Sequence, residues 1–201
     1  MKPLDITKKI SIAEKRVIEL INEGSIKILS ERNSSEISSF YEGKSQNRIQ
    51  TAKIIFKSSK SDKDYYADYA EVVSAAYYSM YYIVHAFLAL KYKKKLSEGI
   101  RGVHAITHNL VLYYLVKTKR IAKHIYEEYL KAYETASEIQ KLSVEDFQEE
   151  AYSYAQKYDK TRSAREIFTY NVSSKVEEYH AEQAIRTAEE FISMIRQLMV
   201  K

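Results

Sequence analysis

Turn-forming residues are scarce in this chain, with one proline and four glycines among 201 residues. A many-stranded sandwich or barrel needs a turn signal roughly every 8–12 residues. A chain this poor in turns satisfies its backbone hydrogen bonds inside helices instead. The expected fold is all-α: an antiparallel up-and-down bundle of about four to five core helices with an N-terminal helical extension. The domain reading is an extension over residues 1–42 and a bundle over 43–201.

Cysteine is absent, which excludes disulfides, thiolate zinc sites, iron–sulfur clusters and cysteine nucleophiles. The 45% hydrophobic and 29% charged content is that of a chain able to bury a core. A formal net charge of +5 tilts weakly toward anionic partners. No run of roughly 18 uncharged apolar residues is present, and the N-terminus is amphipathic rather than apolar, so no membrane partner is expected and a cytoplasmic location is.

Helical periodicity organises the chain. Ile10, Ala13, Val17, Leu20 and Ile21 trace a first amphipathic stripe, interrupted at Glu23-Gly24-Ser25. After the polar cluster Arg32-Asn33-Ser34-Ser35, a further helix with Ser35 as a possible cap carries Ile37, Tyr41, Ala52, Ile55 and Phe56. The strongest helix is expected over residues 64–92, with Val73, Tyr77, Met80, Val84, Phe87 and Leu88 along one face. Leu96 to Ile106 reads as a loop holding Gly99 and Gly102, after which Thr107 caps a helix beginning at His108. A helix over residues 121–142, a capping-box start at Ser143 and a last helix opening at Ser174 complete the reading.

Few motifs carry chemistry. His104 and His108 stand four apart, but Ala105 occupies the place where a zinc protease needs glutamate, and the glycines put His104 in the loop. Glu177 and His180 form one Glu-x-x-His pair where a di-iron bundle needs two. Neither phosphate-cradling glycine loops nor a nucleophile elbow occurs. No metal or other cofactor is therefore expected. The nineteen tyrosines read first as core and core-margin residues, and second as stacking surfaces where cations adjoin them, as at Tyr92 inside a lysine run. Lys117, Lys119, Arg120 and Lys123 form a basic strip, equally a solvated helix face. Arg162 and Arg165 precede the last helix, where guanidinium, backbone amides and the helix dipole would together hold phosphate. The alternative there is an ion pair with Glu166 or with an acidic residue of the preceding helix.

Four segments, residues 74–90 (SAAYYSMYYIVHAFLAL), 107–116 (THNLVLYYLV), 165–170 (REIFTY) and 181–195 (AEQAIRTAEEFISMI), agree in order and spacing with one family. The chain resembles the HEPN superfamily over about residues 43–199. The resemblance implies a homodimeric helical bundle, often encoded beside a minimal nucleotidyltransferase as a toxin–antitoxin pair. Its catalytic members are metal-independent RNases that use an Arg followed a few residues later by a His. Arg165 takes the place of that Arg, with Glu166 after it, and is the candidate catalytic residue. Tyr170 and Asn171 stand where the His would be, and neither is a base near neutral pH.

The expected function is accordingly a nucleotide- or RNA-binding module that lacks the usual catalytic His, with Arg162, Arg165, Glu166, Tyr170 and Asn171 as its binding residues and a nucleotidyltransferase-type protein as partner. The alternatives are a metal-independent endoribonuclease with a divergent motif and a protein-docking bundle without nucleic-acid contact.

Overall fold

A computed structural model describes residues 6–61, 68–121, 125–136 and 178–200. The described residues are predominantly helical: α1 (Ile6–Asn22), α2 (Glu31–Ser61), α3 (Tyr69–Tyr92), α4 (Val103–Val111), α5 (residues 125–136) and α6 (Glu178–Val200). Two short strands, β1 (Ile26–Ile28) and β2 (Lys94–Leu96), pair antiparallel, and a π-helical turn (Leu112–Val116) follows α4. The all-α bundle expected from turn scarcity is the fold observed.

α3 is the central member. All six residues of its expected stripe are buried, and so are Ala75, Ala76, Ile83, Ala86 and Ala89 from the rest of its circumference. By length and composition it is apolar enough to cross a bilayer, and most of its apolar surface is buried inside the bundle. Asp68 starts it by accepting a hydrogen bond from the Glu71 amide at 2.9 Å. Lys93 ends it in the left-handed conformation (φ 51°), returning its N–H to the last turn and swinging the chain directly into β2.

α2 packs against α3 through serines. Ser34, Ser38 and Ser45 are buried, and their hydroxyls donate to the carbonyls of Ala89 (2.5 Å), Ala86 (3.0 Å) and Ser79 (2.7 Å). Small side chains on both faces let the two backbones approach, and each hydroxyl offsets its own burial with a hydrogen bond. The register runs Ser34 to Ala89 and Ser45 to Ser79, so α2 and α3 are antiparallel. α6 is also antiparallel to α2, with Lys60 paired to Glu178 at 2.6 Å at one end and Arg196 to Glu42 at 2.9 Å at the other. α3 and α6 therefore run in the same direction.

Several expected boundaries move. The polar cluster at 32–35 does not separate helices; α2 begins at Glu31, and the Ser30 hydroxyl accepts from the Asn33 amide at 3.3 Å as its cap. The expected boundary between residues 42 and 43 consequently falls inside α2, and α1 shares the main core through Ala13, Val17 and Leu20. Thr107 is an interior residue of α4, which starts at Val103 after Gly102 in the left-handed conformation (φ 70°). The expected helix starts at Ser143 and Ser174 lie outside the described residues.

Candidate nucleic-acid interface

Arg162, Arg165, Glu166, Tyr170 and Asn171 lie outside the described residues. What the structure does bring together is an aromatic and cationic surface on α2 and α3 that spacing alone did not single out.

On α2, Phe40, Lys44 and Arg48 recur every fourth residue and share one face. On α3, Tyr78 and Tyr82 repeat with the same spacing, beside Tyr81. The serine-mediated contact sets these two faces side by side. Lys44 Nζ lies 4.9 Å from the Phe40 ring centre and 5.3 Å from that of Tyr82. One helical turn along, the Arg48 guanidinium lies 5.7 Å from the centre of Tyr78. Tyr41 stacks on Tyr82 at 6.1 Å and meets Phe40 edge-on at 5.5 Å. Phe40 is 58% exposed, an unusual state for phenylalanine, and Tyr41, Tyr78, Tyr81 and Tyr82 are half-buried. Two cation–ring units thus sit about 6 Å apart along the helix axes, the rise of four helical residues.

Behind this surface lies a histidine–tyrosine layer. His85 is fully buried; its Nε2 is 2.9 Å from the Thr107 hydroxyl, which itself donates to the Val103 carbonyl at 2.7 Å. With that hydrogen committed, Thr107 accepts, so His85 donates from an N–H at Nε2. Burial, helped by His104, holds its pKa down at about 4. His104 touches the Tyr77 hydroxyl through Nδ1 at 3.1 Å and the Tyr78 hydroxyl through Nε2 at 3.5 Å, and burial lowers its pKa as well. Burial pushes the Tyr81 hydroxyl up to about 12, so the rim tyrosine nearest His85 stays a neutral phenol near neutral pH.

His104 and His108 are both in α4, not one in a loop and one in a helix. They nevertheless do not converge. His104 faces Tyr77 and Tyr78, whereas His108 stacks with Tyr133 (5.0 Å, 15°) and Tyr129 (6.2 Å, 5°) of α5. Burial, with Lys9 adding to it, lowers the His108 pKa to about 4. Among the described residues no group of three His, Asp or Glu could hold a metal ion. Glu177 of the Glu-x-x-His pair is outside them, and His180 is exposed on α6.

The described tyrosines occupy the core and its margin, the first of the two expected uses. Tyr77, Tyr126 and Tyr129 are core, while Tyr78 and Tyr82 form a margin with cations above it. The signal that finds the margin is the recurrence of Phe40, Lys44 and Arg48, which reads as an ordinary solvated face until α3 is set beside it. A groove of about 440 Å³ between α2 and α6 is a weaker candidate, because Lys53 and Arg196 in its walls are already paired with Glu189 and Glu42. Compared with family models, curated proteins and solved structures, the chain matches none.

Proposed function

We propose that this chain is a HEPN-like module that binds RNA or a nucleotide, and that the α2–α3 surface contacts the bases. The observation that carries this reading is the pair of cation–ring units at Lys44 and Arg48. Exposed cation–π contacts are worth only about 0.5–1 kcal/mol. Phosphates therefore draw Lys44 and Arg48 off the rings cheaply, and the uncovered Phe40, Tyr82 and Tyr78 accept bases in their place. Stacking on an aromatic side chain contributes about 1–3 kcal/mol per base and tolerates any sequence. Unpaired bases reach such rings and paired ones do not, so a single strand is the better ligand.

In this reading the protein is a cytoplasmic homodimer that works with a nucleotidyltransferase-type partner, as the family resemblance implies. Arg162 and Arg165, with Glu166, Tyr170 and Asn171, are a second set of contacts to the same ligand. Cleavage is a separate matter, because Tyr170 and Asn171 supply no base. The deciding measurement is fluorescence anisotropy with a labelled oligouridylate and with a duplex of equal length. Single-strand binding that falls at least tenfold in a Lys44→Ala, Arg48→Ala double variant supports the proposal. Equal affinity of variant and parent removes the α2–α3 surface from the function.

A further inference from the structure

At the C-terminal end of α3, the β1–β2 ribbon combines an open strand edge with a concentration of positive charge. The backbone pattern defines the edge. The Leu29 amide donates to the Lys93 carbonyl at 2.7 Å and the Ser97 amide to the Ser25 carbonyl at 2.9 Å. In an antiparallel ladder the inward-bonding residues alternate. Ser25, Lys27 and Leu29 thus bond across the ribbon, and the N–H and C=O of Ile28 point away from it. Among the described residues no hydrogen bond reaches those two Ile28 groups, and Ile28 is 77% exposed. An exposed aliphatic side chain on an unpaired strand edge is a template for another strand.

Charge says what kind of strand. Lys27 lies directly opposite Lys95 in the register, a like-charge pair that destabilises the ribbon unless an anion sits between or beside them. Lys91 and Lys94 adjoin, and Arg120 joins this end by lying over the Tyr92 ring at 5.5 Å. Glu31 is taken by Lys93, and Glu98 reaches Lys95 only at 3.7 Å; among the described residues Lys27, Lys91 and Lys94 have no acidic partner. RNA would meet the lysines yet leave the main-chain groups of Ile28 unused. The ring at this end, Tyr92, is packed against Tyr114 at 4.3 Å and Phe87 at 5.7 Å, which leaves little of its face for a base. A polypeptide uses both features.

We infer that the outer edge of β1 docks an extended acidic segment of a partner protein, which adds to the ribbon as a third strand. An apolar residue of that segment lies beside Ile28, and flanking carboxylates face Lys27 and the neighbouring lysines. The inference is independent of the α2–α3 surface.

The probe is a capped Glu-Val-Glu-Val-Glu peptide titrated into the full chain, followed by backbone amide NMR. The expected result is saturable shifts at Lys27 and Ile28, slowed hydrogen exchange of the Ile28 amide, and at least tenfold weaker binding of the same peptide N-methylated along its backbone. N-methylation leaves every charge in place and needs no protein variant. Ile28→Pro, which removes the outward-facing N–H together with the exposed aliphatic side chain and takes no hydrogen bond from the β1–β2 ladder, is expected to weaken binding by at least a similar factor. Equal binding of the N-methylated peptide, displacement of the peptide's signal to residues away from β1, or no binding at millimolar peptide overturns the inference. Oligouridylate that competes fully for the β1 shifts and binds there more tightly than the peptide also overturns it, in favour of a phosphate site.

Discussion

Two aromatic layers of this protein behave oppositely. In the inner layer, Tyr129 is wholly buried and stacks on Phe191 at 5.2 Å, while His108 stacks on Tyr133. In the outer layer, Phe40, Tyr78 and Tyr82 lie under flexible cations from the neighbouring helix. The side chains are of the same chemical types, and only the covering differs. Inside, desolvation fixes ionisation states and packing supplies the energy; outside, rings that water can reach contribute little to stability and remain available to a ligand. The comparison assigns stability to one layer and recognition to the other, and each assignment can be broken separately.

The largest effect is expected for Tyr129→Ala. Truncating a large aromatic residue in a close-packed core costs about 3–5 kcal/mol, read as a lower denaturation midpoint with an unchanged slope. Tyr82→Ala removes a ring of similar size from the outer layer and is expected to cost less than about 1 kcal/mol. Equal losses at the two positions would mean that the layers are energetically alike.

Acid is expected to act on the inner layer next. His85 and His108 are held at about 4, below their ordinary 6.5, so each stays neutral in the folded chain where the unfolded chain is protonated. Above about pH 6.5 neither state carries the proton and stability does not depend on these groups. As pH falls from 6.5 toward 4 the unfolded state gains protons that the folded state refuses. Each histidine then removes about 1.4 kcal/mol per pH unit, and the loss levels off below about 4. Chemical denaturation at stepped pH reads the slope. His108→Phe, which keeps a flat ring beside Tyr129 and Tyr133, should lower it by about that amount, and an undiminished slope would place the titration elsewhere.

The outer layer is sharpened by salt. Each phosphate contact on a single strand contributes roughly 0.7 to the slope of log affinity against log salt. Arg48→Ala should flatten that slope by about one contact, whereas Tyr78→Phe leaves it unchanged because a ring stacks without its hydroxyl. Loss of affinity without any change in slope in Arg48→Ala would argue that the guanidinium only braces Tyr78.

Helical periodicity carried much of the fold into view: the buried stripes of α1 and α3 are those the apolar spacing marks, and α6 buries Ala184, Ala188, Phe191 and Ile195 at the same helical spacing. It missed the start of α2, because Ser34 and Ser38 look like surface residues until the carbonyls of α3 are placed opposite them. The ribbon escaped it too, since three-residue strands are too short for a period to show and are made by contacts between segments far apart in sequence. The outer aromatic surface was half legible. Its tyrosines stood out by number, but the α2 cations that define it belong to another helix, and spacing within one helix says nothing about which helix lies alongside.

The smallest expected effect is the most discriminating for the inner layer. Among the described residues the hydroxyls of Tyr126 and Tyr129 are buried without a hydrogen-bond partner, whereas that of Tyr77 meets His104 Nδ1 at 3.1 Å. A buried polar group left unmatched costs free energy, and removing it with the shape kept relieves that cost; removing one member of a bonded pair does the reverse. Tyr129→Phe is therefore expected to be neutral or to stabilise by about 1 kcal/mol, and Tyr77→Phe to destabilise by about 1 kcal/mol. The two substitutions delete the same atom from the same kind of buried ring. Opposite signs in parallel denaturation curves would show that pairing of the hydroxyl, not depth, governs its contribution. Destabilisation by both would mean that the Tyr129 hydroxyl is matched in solution, with water as its simplest partner.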